Sequence, residues 1–180
     1  MALKAYRDIE EGEELTISYL TLGQTSSHRQ HAISSWGFNC SCSLCSLRKP
    51  EKAASDIRRK LIAQLTPKIM QLWDAGDDTA AISLAEESVQ IIVDEGLEHL
   101  LTEQYALVAK LWLMLGKKRQ RGTTVLKGEE RVQSEIWARK SWILLGSMGF
   151  LGTKWDGHDD FDLEAFLELV SDGIKEVMLW

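Results

Sequence analysis

The chain has 180 residues, 44% hydrophobic and 27% charged, with a formal net charge of −6. That balance excludes an intrinsically disordered chain, and the net negative charge argues against broad nucleic-acid binding. No run of about 18 apolar residues is present to span a bilayer, the first residues carry no apolar core of a secretory signal, and two prolines exclude Pro-rich and collagen-like classes.

In chain order, residues 1–20 read as two short strands. LKAYRDI leads into the turn EEGEE, and ELTISYL alternates Leu15, Ile17 and Tyr19 against Thr16 and Ser18. The polar stretch 21–35 predicts a short helix starting near Ser26 or Ser27, both good N-cap residues. Residues 36–47, WGFNCSCSLCSL, form an aromatic and cysteine-rich knot, and Pro50 marks a break. From Glu51 the pattern is helical, with Ile57, Leu61, Ile62 and Leu65 at helical spacing. Pro67 is expected at or near a helix start, where its missing N–H is harmless, and Gly76 at a helix stop. The next helix carries Ala81, Leu84, Ala85, Ser88, Ile91 and Ile92 as its stripe and ends at Gly96. Further helices are expected over HLLTEQYALVAKLWLMLG, ended by Gly116, over SEIWARKSWILLGSMG, and over LEAFLELVSDGIKEVMLW. WDGHDDFD is expected to be a loop. The fold class is therefore mostly α with a small β part.

All three cysteines, Cys40, Cys42 and Cys45, lie within six residues. Loops that short gain little from disulfide closure. Thiolates at C-x-C-x-x-C spacing are instead good zinc ligands, because one turn can aim all three sulfurs at one ion. Structural zinc takes four ligands, so one is to be found elsewhere: His28, His31, or a cysteine of another segment. Three free thiols without a role are the alternative. The absence of other cysteines points to a reducing compartment.

Charge is uneven. Residues 74–103 hold nine acids and no Lys or Arg, while 117–131 carry Lys117, Lys118, Arg119, Arg121, Lys127 and Arg131. The acidic helical face suits a basic partner such as a histone tail, or is simply solvated. The basic stretch reads as an insertion, and its KKRQR as a weak import-like cluster. Trp73-x-x-Gly76 and Leu113-x-x-Gly116 give the helices a faint self-similarity of the tetratricopeptide (TPR) kind, with an irregular bundle as the alternative.

Taken together, AYRDIEEGEELTISYL followed by HRQHAISSWGFNCSCSLC resembles the C-terminal end of a SET domain with its post-SET zinc motif. The resemblance is to the SET-and-MYND (SMYD-like) protein-lysine methyltransferases and their fungal relatives, and covers about the first 47 residues. It implies a SET remnant at 1–25, a post-SET zinc segment at 26–48 and a TPR-like helical domain at 49–180. It implies that Tyr19 is the tyrosine of the methyl-transfer site, and that Trp36 and Phe38 line the lysine channel or cover the adenine of S-adenosylmethionine. Cys40, Cys42 and Cys45 match the zinc ligands. The implied substrate is a protein lysine, in a histone tail or elsewhere, and the implied compartment is the nucleus or cytoplasm. The family's Asn-His-x-Cys and Gly-rich segments are absent from this sequence. The expectation is thus an N-terminally truncated member without activity of its own. The alternative expectation is a non-catalytic helical interaction module with a vestigial zinc knot.

Overall fold

The computed structural model describes residues 9–14, 20–120, 128–148 and 162–168. Most of them are helical: α1 Ser26–Ser34, α2 Lys49–Asp74, α3 Asp78–Asp94, a 3-10 turn Glu98–Leu100, α4 Leu101–Arg119 and α5 Glu129–Ser147. A helical segment at 163–168 follows. The described residues contain no strand; the strands expected over 1–20 fall largely on 1–8 and 15–19, outside the described residues.

Helix α2 runs unbroken through Pro67 and corrects the helix boundary expected there. It is Pro50, in the first turn of α2, that occupies the position where a missing N–H costs nothing. A proline in a helix interior costs about 3 kcal/mol. Against this, α2 buries Leu65 before Pro67 and Ile69 and Trp73 after it, in one stripe. Full burial of such side chains stabilises by about 1.5–3 kcal/mol each, enough to carry the helix past the defect. At its N-terminus Glu51 accepts from the Arg48 backbone N–H at 3.3 Å and from the Arg48 guanidinium Nε at 3.1 Å. Its C-terminus ends at Gly76, as expected, whose φ of +83° suits a residue without Cβ. There Asp77 N–H reaches the Leu72 carbonyl at 3.0 Å and Gly76 N–H the Trp73 carbonyl at 3.0 Å. Gly96 closes α3 in the same way, and Leu97 then packs on Ile92.

The helices pack mainly in sequence order, α2 on α3, α3 on α4 and α4 on α5. One core joins Leu65, Ile69 and Trp73 to Ala81, Ile82 and Ala85 and to Val108, Leu111 and Leu115. A second joins Ala109 and Leu113 of α4 to Ala138 of α5 and to Leu163, Phe166 and Leu167. Helix α4 therefore lies between both, and passes through Gly116, which is buried, to Arg119 rather than ending at Gly116. The stretch 117–131, expected to be an insertion, begins in α4 and ends in α5, and its residues 121–127 lie outside the described residues.

Two interfaces are polar. Ser134 and Ser141 of α5 are fully buried and donate to the α4 carbonyls of Ala109 and Thr102, each at 2.8 Å. On the first half of α2, Ser55 and Arg59 take the buried positions, while Ile57 and Leu61, expected in the apolar stripe, face outward. Glu95, at the end of α3, accepts from Ser55 Oγ at 2.7 Å, Arg58 Nε at 2.6 Å and Arg59 Nε at 2.8 Å. Several acids of 74–103 are likewise used internally. Asp78 pairs with Lys118 at 2.6 Å, and Glu86 accepts from Trp112 Nε1 at 3.0 Å. No helix is long and apolar enough to cross a membrane among the described residues.

Candidate metal centre

The knot lies between α1 and α2, and side chains of both helices hold its ends. Helix α1 starts one residue after Thr25, whose side chain makes no capping bond. The cap comes from α2 instead: Asp56 accepts the Ser26 backbone N–H at 2.6 Å and also the Ser26 hydroxyl. Burial raises the Asp56 carboxyl, but the Ser26 hydrogen bonds and nearby Arg29 and Lys60 outweigh it and leave it below the usual aspartate range. After α1 the chain turns through Trp36-Gly37-Phe38, with Gly37 at φ +78°. Both aromatics are exposed, 59% and 43%, so neither is buried against the cysteine turn. Tyr19 lies outside the described residues.

The sulfurs of Cys40, Cys42 and Cys45 lie within 4.8 Å of one another. The edge of a tetrahedral zinc–thiolate site with Zn–S near 2.3 Å is about 3.8 Å, so the cluster fits three corners of such a site. The turn that achieves this is closed by Ser46 N–H to the Cys42 carbonyl and Ser46 Oγ to the Ser41 carbonyl, both 2.9 Å. Cys45 is buried, Cys40 half-buried and Cys42 exposed. Burial raises the Cys42 thiol, yet the Cys45 backbone N–H and the two neighbouring thiols lower it further, so it lies below the ordinary thiol range. A backbone hydrogen bond from Cys42 lowers Cys40, but the Cys42 side chain, burial and Cys45 together raise it. Three thiols held this close offer one divalent cation three ligands, and binding would replace their protons. Among the described residues no histidine or carboxylate joins the cluster, and His28 and His31 stand exposed on α1.

Second contacts surround the sulfurs. Arg29 Nη2 of α1 lies 3.9 Å from Cys45 Sγ, and Gln30 Nε2 is 3.3 Å from the Cys40 carbonyl. Lys52 Nζ of α2 donates to the Cys45 carbonyl at 2.6 Å. Sequence reasoning missed Arg29, Gln30, Lys52 and Asp56; their one signal is position, within a turn or two of a cysteine knot.

Comparison with known proteins relates part of the chain to the SET-type protein-lysine methyltransferases. Over 65 residues it is 38% identical to histone-lysine N-methyltransferase set5 of Schizosaccharomyces pombe, a match covering 35% of this chain and 20% of that protein. The chain therefore spans about a fifth of the length of the curated relative it matches. No protein-family model matches the chain, and no solved structure matches it.

Proposed function

We propose that this chain forms the C-terminal SET and post-SET part, with the following helical domain, of a protein-lysine methyltransferase using S-adenosylmethionine. The observation that carries the reading is the 38% identity to a histone-lysine methyltransferase over 65 residues. The compact Cys40, Cys42 and Cys45 cluster accompanies it. In this reading the cysteines hold a structural zinc ion whose fourth ligand comes from outside the cluster. The zinc fixes the knot so that Trp36 and Phe38 stand at the rim of the lysine channel or over the cofactor. Exposed aromatic faces suit both a methylated ammonium and a sulfonium cation. Tyr19 orients the lysine amine toward the methyl group through its hydroxyl.

The substrate class is a protein lysine, in a histone tail or another protein, and the place of action is the nucleus or cytoplasm. The helices from α2 onward form a TPR-like domain of the SET-and-MYND type, which offers a surface to protein partners. In this reading the 180 residues alone transfer no methyl group. The test is methyl transfer from labelled S-adenosylmethionine to histones by the protein isolated from its own cells. Tyr19→Phe in that protein should lower turnover by at least about tenfold, or about 1.4 kcal/mol of barrier. Full activity in Tyr19→Phe removes the role of Tyr19, and no transfer to any lysine substrate by the native protein removes the enzyme reading.

A further inference from the structure

Three features meet at one corner of the cysteine knot. The Cys45 sulfur is buried and faces the Arg29 guanidinium at 3.9 Å. The Cys45 carbonyl is held by Lys52 Nζ at 2.6 Å. Arg29 is also tied through Nη1 to the Gln24 carbonyl, at the entry to α1. Its Nε is buried without a hydrogen-bond partner. Most buried donors are paired, so an arginine held in place with one donor unmet points to a purpose other than local folding. A three-thiolate site carries one net negative charge when it holds a divalent ion, and a four-thiolate site two. Two cations, one from each flanking helix, are placed to offset it.

We propose that Arg29 of α1 and Lys52 of α2 are the positioning pair of the metal centre, a proposal that rests on the metal-binding reading of the three cysteines. Arg29 sets a positive charge beside the Cys45 sulfur, and Lys52 fixes the backbone that aims it. Because the two residues come from different helices, metal occupancy is coupled to the docking of α1 on α2. The Ser26 to Asp56 bonds lie along the same seam and complete the coupling. The arrangement is that of outer-sphere groups around metal ligands, whose loss commonly weakens metal affinity about 10–100-fold.

The test is titration of the full chain with cobalt(II) alone, reading the thiolate-to-cobalt absorption and the affinity by competition with a chelator. Amide hydrogen exchange of α1, with and without metal, is read in parallel. The expected result is that Arg29→Met and Lys52→Met each weaken cobalt binding by about tenfold or more. Arg29→Lys, which keeps the charge, should recover most of the loss, as a purely packing role would not allow. Metal should slow α1 exchange in the wild type and much less in Arg29→Met. Cobalt affinity unchanged in both Met variants, or equal loss in Arg29→Met and Arg29→Lys, overturns the pair while the metal site stands. No cobalt–thiolate band in the wild type overturns the metal reading and the pair together.

Discussion

Replacing Glu95 with alanine should destabilise the fold more than any change at an exposed ion pair. The Glu95 side chain is 2% exposed and that of its partner Arg59 6%. Without the carboxylate, Arg59 keeps the Ser55 hydroxyl at 3.3 Å and the Glu95 backbone carbonyl at 3.5 Å, and no negative charge. Removing one partner of a buried pair costs about 3–5 kcal/mol, because the other charge is left uncompensated in a dry site. The lower end applies here, since Arg58 is 40% exposed and can turn to water once released. About 3 kcal/mol in a chain of this size is a drop of about 6–12 °C in Tm. Arg58→Ala should cost less than about 1 kcal/mol for the same reason of exposure. The double replacement Glu95→Leu with Arg59→Met, which removes both charges and keeps apolar volume, should stand within about 2 kcal/mol of wild type. Urea unfolding followed by circular dichroism measures all four proteins. A Glu95→Ala loss below about 1 kcal/mol, or a double variant as weak as the single, would refute the argument that an orphaned Arg59 is what hurts.

Ala138→Leu should cost about 1–3 kcal/mol, at the upper end, because Ala138 and facing Ala109 are both fully buried and the added isopropyl group separates α4 from α5. The urea midpoint reads this, and an unchanged midpoint would mean the helices are not in close approach there. Asp56 has a folded-state value below the ordinary 3.8 for aspartate, so its contribution is fully present above that value and is lost as pH falls through the depressed one. Unfolding stability measured against pH should therefore fall more steeply below about pH 4 in the wild type than in Asp56→Asn, and superimposable profiles would count against the Asp56 cap.

The elements that the sequence made legible share one property: their buried face is apolar. The stripe of α3 is readable from Ala81, Ala85, Ser88 and Ile92, which the structure buries together with Ile82, while Leu84 and Ile91 are half-buried. The stops at Gly76 and Gly96 were readable because a left-handed residue after a helix favours glycine. Helix α5 was placed only in part, starting at Ser134 rather than at Glu129. Its inner face is Ser134, Ala138 and Ser141, small residues that let α4 approach and whose hydroxyls bond α4 carbonyls, so no hydrophobic period marks it. At Pro67 the local rule was sound and tertiary burial overrode it.

The cysteine triad was legible because spacing alone brings three sulfurs to one turn, and the structure gathers them. What surrounds it was not, because its partners are ordinary polar residues whose meaning depends on another helix. Ser26 reaches Asp56 across 30 positions, and Ser55 reaches Glu95 across 40. These two contacts also explain why Ile57 and Leu61 misled. The first turns of α2 carry two polar docking faces, one toward the knot through Lys52 and Asp56 and one toward α3 through Ser55 and Arg59. Lys52 and Asp56 are four residues apart, as are Ser55 and Arg59, so each pair lies on one side of the helix. With both docking sides polar, the apolar residues of that stretch are left to face outward, and the buried apolar stripe begins only where α2 meets the main core at Ile62 and Leu65. Helix α2 is thus a single rigid element whose first half joins the knot to α3 by directional bonds and whose second half anchors in the core by burial. Hydrogen bonds from Lys52 and to Asp56 thus contribute directly to how the knot is held on α2.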